Sequence, residues 1–421
     1  MTPFLQLILA MAIIIAAAKA GGYLSYRLGQ PSVLGELLVG VILGPTIINL
    51  LHIPYFADEH LPEVVHELAE VGVLFLMFLA GLELHLTDLL KSGRVSGFAG
   101  VSGVILPVLL GTGAGVLFQV SLEQSVFLGL ILAATSVSIS AQTLMELKVL
   151  RSRVGISLLG AAVFDDILVV LLLSIFTAIA LSSGEINLLS VVWVIVKMII
   201  FLGGAAGLGF WLLPKLSNRV TSLTISQGLT AFVVVIILLF GWAAEVLGGM
   251  AALTGAFLAG LVLARSPVRE RIENAIGIIA FGLFVPIFFV DIGLSTNARM
   301  LFGANFWFFA SITIVAVISK IIGAGLGGIW GGLPRREALQ LGIGMMSRGE
   351  VGLIVASVGV TSGLINEDLF SAVVGVVIVT TLLTPPLLRL SFQTPAAQKR
   401  KEPASAVSNP TSENTNPEGE G

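Results

Sequence analysis

The chain has 421 residues, of which 56% are hydrophobic and only 11% are charged, and its mean hydropathy is +1.03. This composition is typical of a protein that crosses a membrane several times, with lipids as its immediate surroundings. The lack of cysteine excludes disulfides, thiolate metal sites and cysteine nucleophiles, and a net charge of −3 does not indicate nucleic acid as a partner.

Apolar segments long enough to span a membrane follow one another along the whole chain. Residues 1–18 lack a basic leading region, so we expect a retained helix there and not a cleaved signal peptide. Residues 393–421 are rich in Pro, Ser, Asn and Glu, which predicts a disordered tail. The sequence predicts an all-α polytopic membrane protein with 13 transmembrane helices, centred near residues 11, 42, 75, 107, 137, 168, 200, 236, 257, 285, 317, 351 and 380.

Charge in the loops alternates from one side of the predicted membrane to the other. Loops rich in Lys and Arg lie in the cytoplasm. The intervening loops are acidic, for example at Asp58, Glu185 and Glu367, and their only basic residue is Arg299. We therefore expect the N-terminus outside and the C-terminus in the cytoplasm. The basic residues of the alternate loops are Lys91, Arg94, Lys148, Arg151, Arg153, Lys215, Arg219, Arg265, Arg269, Arg271, Arg335 and Arg336.

The second and ninth segments resemble each other, because Gly35 aligns with Gly255 and Gly40 with Gly260. This similarity predicts two repeats of six helices. A single helix between the two repeats makes the second repeat begin on the opposite side of the membrane from the first. This arrangement is an inverted repeat, as in many secondary transporters. The predicted transmembrane domain covers residues 1–392, with repeat one at 1–182, a linking helix at 188–213 and repeat two at 222–392.

Two segments contain too many polar residues and glycines to be continuous membrane helices. The fifth carries hydroxyl side chains over residues 134–143, and the twelfth carries Gly, Ser, Arg and Glu over residues 342–352. A helix that unwinds in mid-membrane frees carbonyl oxygens for a cation and directs the dipoles of two half-helices at it. We predict two broken helices that cross at a polar centre.

Two adjacent aspartates, Asp165 and Asp166, are the only charged residues between positions 155 and 181. An intramembrane charge costs at least a few kcal/mol and usually marks an ion or proton pathway. Lys320, in the eleventh segment, is the expected countercharge. Adjacent residues on a helix point about 100° apart, so we expect one aspartate to be paired and the other to face the pathway.

Several stretches, in this combination and order, resemble the second monovalent cation:proton antiporter family, and especially its bacterial sodium/proton antiporters with paired aspartates. The resemblance covers about residues 5–392. The matching stretches are 30–45 (QPSVLGELLVGVILGP), 78–83 (FLAGLE), 134–136 (ATS), 164–166 (FDD), 255–260 (GAFLAG) and 347–350 (SRGE).

This resemblance implies an electrogenic exchange of Na⁺ or Li⁺ for H⁺ by alternating access. It implies that Asp166 carries the ion and the proton, and that Asp165 pairs with Lys320 when the sodium site is empty. The implied Na⁺ site consists of Asp166, Asp165, Thr135 and Ser136. The same resemblance implies that Arg348 and Glu350 support the second break.

The resemblance also implies a dimerisation domain and a mobile core domain that moves like an elevator. We expect a homodimer in the bacterial inner membrane that transports monovalent cations and protons, needs no organic cofactor and is not an enzyme. In this interpretation the acidic residues near the ends of segments, Glu36, Glu83, Glu245 and Asp291, reach water.

Four alternatives remain at the level of single residues. Lys320 carries a proton or serves only as a countercharge. Arg348 and Glu350 form an internal salt bridge or take part in transport. Thr135 and Ser136 bind the ion or bond only to backbone carbonyls one turn earlier. Asp165 and Lys320 form a purely structural ion pair, although this leaves Asp166 without an explanation.

Three other functions are compatible with parts of the pattern. Potassium/proton exchange or potassium efflux is the main alternative, although such relatives usually carry Gln at the first aspartate position and an added nucleotide-binding domain. Membrane aspartyl proteases use aspartates from separate helices, which adjacent residues cannot imitate. A channel needs a filter and a continuous pore, whereas two mid-membrane breaks fit alternating access better.

Overall fold

The computed structural model describes residues 1–181, 188–221, 226–295, 306–361 and 364–393. All regular structure in these ranges is helical, with no strand. The predicted tail beyond residue 393 and the loop residues Glu185 and Arg299 lie outside the described residues. The helices are α1 (Pro3–Arg27), α2 (Ser32–Leu43), α3 (Leu61–Leu82), α4 (Leu86–Lys91), α5 (Gly93–Leu117), α6 (Leu122–Ala133), α7 (Val137–Glu146), α8 (Arg153–Leu181), α9 (Leu188–Thr221), α10 (Gly228–Val246), α11 (Ala252–Leu263), α12 (Arg269–Ile279), α13 (Val285–Leu294), α14 (Phe306–Gly331), α15 (Arg335–Gly344), α16 (Glu350–Thr361) and α17 (Glu367–Phe392).

Nine helical segments in the described part are long and apolar enough to cross a membrane, or ten if the bent α9 is included. In this count α6 with α7, and α12 with α13, each form one segment. Helices α2 and α11 are apolar but have only 12 residues each, which is about 18 Å of helix and less than the hydrocarbon thickness of a bilayer. The described residues thus contain nine or ten full-length apolar helices, and the number of 13 stays a prediction.

Side-chain caps define where several of these helices begin. The Thr2 hydroxyl accepts a hydrogen bond from the backbone N–H of Leu5 at the start of α1. Asn366 Oδ1 accepts one from the N–H of Leu369 at the start of α17, at 2.9 Å. Such caps satisfy N–H groups that have no partner within the helix.

The helices pack into two groups. The first, here called the site bundle, comprises α4 to α8 and α14 to α17, and the second, the flanking bundle, comprises α1 to α3 and α10 to α13. Helix α9 packs against α10 and α11 of the flanking bundle and also against α8 of the site bundle. The boundary between the two bundles therefore runs beside α8, the helix that carries both aspartates.

Glycines bring the short helices of the flanking bundle into backbone contact with their neighbours. A Cβ atom at Gly260 of α11 would overlap the carbonyl oxygen of Phe78 in α3, and one at Gly255 would overlap that of Phe240 in α10. Membrane helices commonly pack in this way where small residues such as glycine let their backbones approach closely. Helix α11 therefore contacts main-chain atoms of both neighbouring helices, and a side chain at either glycine has no space.

This packing predicts a strong effect of one added methyl group at Gly260. We expect Gly260→Ala to reduce the stability of the folded protein by about 1–3 kcal/mol, since the new Cβ forces α3 and α11 apart. The measurement is the thermal unfolding midpoint in detergent. The matched control is Gly203→Ala in α9, where no atom lies within 4 Å of the new Cβ. Equal midpoints for the two variants would contradict the clamped position of α11.

Candidate functional site

The two predicted helix breaks meet inside the site bundle. Helix α6 ends and α7 begins around Ser136, and α15 ends and α16 begins around Ser347. The backbone N–H of Ser136 donates to the carbonyl oxygen of Ser347 at 2.9 Å. The hydroxyl of Ser347 donates in turn to the carbonyl oxygen of Ser136 at 2.6 Å. These reciprocal bonds join the two helix breaks.

Hydroxyl side chains satisfy the backbone groups that the breaks release. Ser140 donates to the carbonyl oxygen of Gly344 at 2.5 Å, which links α7 to the end of α15. Thr143, in contrast, bonds to the carbonyl of Ile139 one turn earlier in its own helix. Because 94% of the residues in the apolar window of α6 and α7 are buried, the irregular backbone is surrounded by protein, as a membrane interior requires.

Lys320 of α14 forms an ion pair with Asp165 of α8, as the resemblance implies. Its Nζ lies 2.5 Å from Asp165 Oδ1, and both side chains have no exposed surface. The same ammonium group donates to the carbonyl oxygen of Ala133 at the end of α6, at 2.8 Å. Asp165 Oδ2 is buried and has no hydrogen-bond partner among the described residues. Lys320 thus connects three helices of the site bundle around one carboxylate.

Asp166 points in a different direction, toward the flanking bundle. Its Oδ2 atom accepts a hydrogen bond of 3.2 Å from the hydroxyl of Thr254, which lies in the first turn of α11. Asp166 is 5% exposed and Thr254 is 1% exposed. The two adjacent carboxylates therefore contact different bundles, which agrees with the expectation that they diverge around α8. Thr254 was not predicted, although it is the only polar residue in the sequence of α11.

Thr135 and Ser136 lie at the α6 to α7 break and are buried. The Thr135 hydroxyl donates weakly, at 3.5 Å, to the carbonyl oxygen of Ala133, which also accepts the bond from Lys320. Ser136 Oγ lies 3.1 Å from Ser138 Oγ. The structure therefore brings Thr135 to the same carbonyl as the predicted countercharge, while ion binding by Thr135 and Ser136 stays a prediction.

Arg348 lies at the second break and is fully surrounded by protein. Its guanidinium donates to the carbonyl oxygen of Met346 at 3.0 Å and to that of Ala316 in α14 at 3.1 Å. The hydroxyl of Thr381 in α17 donates to the Arg348 carbonyl oxygen at 2.6 Å. These contacts fix an unwound segment between two helices, while the salt bridge with Glu350 and a role in transport both stay predictions. The side chain of Glu350 lies outside the described part of the structure.

Two of the acidic residues expected to reach water are buried instead, so that expectation is wrong for them. Glu36 in α2 is 5% exposed and lies 3.6 Å from the Nζ atom of Lys19. Asp291 in α13 is 7% exposed and lies 2.8 Å from His66 Nδ1. Both residues lie close to helix ends, but the tight packing of the flanking bundle covers them and supplies a basic partner.

A second polar contact between the bundles lies at the end of α7 and was not predicted. The carboxylate of Glu146 accepts hydrogen bonds from the backbone N–H of Ser32 at 2.7 Å and from its hydroxyl at 2.5 Å. Gln142 Nε2 donates to the same carboxylate at 2.9 Å. A carboxylate at a helix N-terminus is favourable because it meets free N–H groups and the positive end of the helix dipole. Glu146 of the site bundle therefore caps α2 of the flanking bundle.

The family model for the transmembrane sodium/hydrogen exchanger matches residues 11–390. The Na(+)/H(+)-K(+) antiporter GerN of Bacillus cereus is 39% identical over 91% of this chain and 95% of its own length. A Na(+)/H(+) antiporter of Enterococcus hirae is 35% identical over 90% of this chain and 96% of its own length. The similarity therefore extends over almost the whole length of both relatives.

The fold is similar to that of the sodium proton antiporter MjNhaP1 from Methanocaldococcus jannaschii, solved at pH 8. The TM-score is 0.64, with 18% sequence identity over 92% of this chain and 96% of that chain. This similarity concerns the fold, whereas the match over residues 11–390 concerns the sequence itself. The chain belongs to the sodium/hydrogen exchanger family of membrane transport proteins.

Proposed function

We propose that this protein exchanges Na⁺ or Li⁺ for H⁺ across the bacterial inner membrane by alternating access. The observation that carries the proposal is the buried arrangement of Asp165, Asp166 and Lys320 beside two helix breaks that hydrogen bonds join. Two carboxylates and one ammonium group have a net charge of −1 when all are ionised, which a bound cation or proton neutralises. Buried ionisable groups in transporters typically serve such pathways.

In this mechanism Asp166 binds a proton and a sodium ion in turn. Na⁺ loses its hydration shell and is held by oxygen atoms of Asp166, Asp165, Thr135 and Ser136, since carboxylate, hydroxyl and carbonyl oxygens suit a hard cation. The Asp165 oxygen that lacks a partner in the described part is available to this site. When the ion leaves, Asp165 returns to Lys320. About two protons move for each Na⁺, one on Asp166 and the other on Lys320, or on Asp165 where Lys320 is only a countercharge, so the exchange moves net charge across the membrane.

We further propose that the transmembrane domain at residues 1–392 contains thirteen membrane segments arranged as two inverted repeats, at 1–182 and 222–392, joined by the linking helix at 188–213. The glycine contacts support this arrangement. Gly35 of α2 packs against α1, and Gly40 packs against α13. In α11, Gly255 packs against α10 and Gly260 packs against α3. An inverted repeat predicts these partners, because α10 corresponds to α1 and α3 corresponds to α13.

The division into two bundles supports an elevator-like motion of the site bundle against the flanking bundle of a homodimer. The N-terminus then lies outside and the C-terminal tail at 393–421 lies in the cytoplasm. Asp166 and Thr254 meet at the boundary between the bundles, so the proposed ion site lies where such a motion opens and closes access. The protein requires no organic cofactor in this mechanism, and Na⁺ and H⁺ are its substrates.

The names of the relatives support sodium/proton exchange. The Enterococcus hirae relative is called a Na(+)/H(+) antiporter, and so is NhaS3 of Synechocystis, which is 32% identical over 96% of this chain. The name of GerN also includes K⁺. Potassium exchange therefore needs to be measured beside sodium exchange.

The test is proton movement in proteoliposomes that contain a pH-sensitive dye. We expect Na⁺ and Li⁺ to drive proton movement that depends on the membrane potential, because the proposed exchange is electrogenic. Protein-free liposomes and a potential clamped with valinomycin and K⁺ provide the controls. A response to K⁺ alone would replace the proposal by potassium/proton exchange, and no response to any cation would refute proton coupling.

A further inference from the structure

We infer that Thr254 is a positioning residue for transport, whose hydroxyl holds the Asp166 carboxylate in place from the opposite bundle. The inference rests on the proposed function and extends it, because none of the sequence motifs of the site includes Thr254. Its hydroxyl lies 3.2 Å from Asp166 Oδ2, and its side chain is buried.

The position of Thr254 is fixed by the helix that carries it. The residue after it, Gly255, packs directly against the carbonyl of Phe240 in α10, and Gly260 packs against that of Phe78 in α3. The backbone N–H of Thr254 donates to the carbonyl oxygen of Ala251 at 3.0 Å, so the residue belongs to the first turn of α11. Main-chain contacts on both sides leave its hydroxyl at one place relative to the flanking bundle.

The partner of this hydroxyl belongs to the other bundle. Asp166 lies on α8, which packs within the site bundle. When the site bundle moves relative to the flanking bundle, as the proposed mechanism requires, Asp166 leaves Thr254. The hydrogen bond is therefore a feature of one arrangement of the bundles. In that arrangement it fixes the orientation of the carboxylate, which keeps the oxygen atoms of Asp166 at one position in the proposed ion site.

The charged groups around Asp166 come from several helices. Asp165 is its neighbour on α8, Lys320 faces it from α14, and Arg348 lies at the second break. Lys197 lies within α9, while the other helices packed against α8 carry their charges toward their ends. Thr254 is neutral, so its substitution leaves all these charges unchanged. A shift in cation dependence on substitution therefore reports the lost hydrogen bond.

The test compares Thr254→Val, which keeps the shape without the hydroxyl, with Thr254→Ser, which keeps the hydroxyl. In reconstituted protein we expect Thr254→Val to raise the half-saturating Na⁺ concentration about tenfold, because a hydrogen bond to a charged group is lost. The maximal rate at saturating Na⁺ and alkaline pH stays within about twofold, and Thr254→Ser resembles the wild type.

The matched control is Thr313→Val in α14, which removes a buried hydroxyl whose hydrogen bond among the described residues goes to the carbonyl of Phe309 in its own helix. If Thr254 has a merely structural role, Thr254→Val lowers the thermal midpoint, as Thr313→Val does, and leaves the half-saturating Na⁺ concentration unchanged. That result would overturn the inference, as would a Thr254→Ser variant that behaves like Thr254→Val.

Stabilisation of the detergent-solubilised protein by Na⁺ separates this inference from the proposed function. We expect the thermal midpoint of the wild type to rise with Na⁺, and that of Thr254→Val to need more Na⁺ for the same rise. Equal Na⁺ dependence of the two proteins would refute the role of Thr254 alone. If the wild type neither responds to Na⁺ nor moves protons, the proposed function fails and the inference fails with it.

Discussion

Replacing Asp166 by Asn is expected to reduce Na⁺-driven proton movement to the level of protein-free liposomes. Asparagine keeps the shape of aspartate but has no charge and no titratable proton. In the proposed mechanism Asp166 is the group that exchanges a proton for a cation, and no neighbouring residue replaces it, because Asp165 is engaged by Lys320. The measurement is the dye signal in proteoliposomes after addition of Na⁺ or Li⁺, over a range of pH values.

The control for this prediction is Asp291→Asn. Asp291 is also a buried aspartate, but it lies in the flanking bundle and contacts His66. We expect this variant to retain Na⁺-driven proton movement, since its carboxylate is not part of the proposed site. Cation-dependent proton movement by a folded Asp166→Asn protein would refute the assignment of Asp166 as the carrier.

The polar centre was predictable from the sequence because few arrangements allow a charge inside a membrane. Asp165 and Lys320 are each too costly alone, so their pairing follows from the presence of both inside predicted membrane segments. Likewise, hydroxyls and glycines in mid-segment predict the breaks around Ser136 and Ser347, which hydrogen bonds join in the structure. In both cases the lipid environment allows few arrangements of polar groups, so the positions of these residues in the sequence are sufficient for the prediction.

Other contacts depend on how the bundles pack, which the sequence does not show. Thr254 reaches Asp166 only because glycines hold α11 against its neighbours. Glu146 caps α2 although Ser32 lies 114 residues earlier in the chain. A residue's distance from a charged loop predicts its depth along a helix, but it does not predict which neighbours cover it, as the burial of Glu36 shows.

The lengths of α2 and α11 illustrate a related limit of hydropathy. The apolar sequence that contains α2 continues to Leu51, yet the helix ends before Gly44, whose backbone is extended and which precedes Pro45. Pro45 disfavours helical geometry at Gly44. Hydropathy records that these residues avoid water, whereas helix length depends on local backbone chemistry. The apolar segments were therefore found, while their helical parts were overestimated.

The pairing of Asp165 with Lys320 leads to the second major prediction. Lys320→Gln leaves a carboxylate buried without its countercharge, so we expect the free energy of unfolding to fall by about 3–5 kcal/mol. Asp165→Asn leaves an ammonium group with only the carbonyl of Ala133 in the described part, and we expect a loss of the same order. The double variant Asp165→Asn with Lys320→Gln removes both charges and is expected to regain most of the lost stability.

Unfolding of the wild type, the two single variants and the double variant in detergent gives the coupling energy between Asp165 and Lys320. Cation-driven proton movement by the same four proteins shows whether the pair takes part in transport. A structural countercharge predicts that the double variant still exchanges Na⁺ for H⁺ through Asp166, but without sensitivity to the membrane potential, since one ionisable pair has been removed from the cycle. If Lys320 itself carries a proton, Lys320→Gln alone loses that sensitivity even where Asp165 is retained. Additive losses of stability in the double variant would show that the two charges do not stabilise each other, contrary to their contact in the structure.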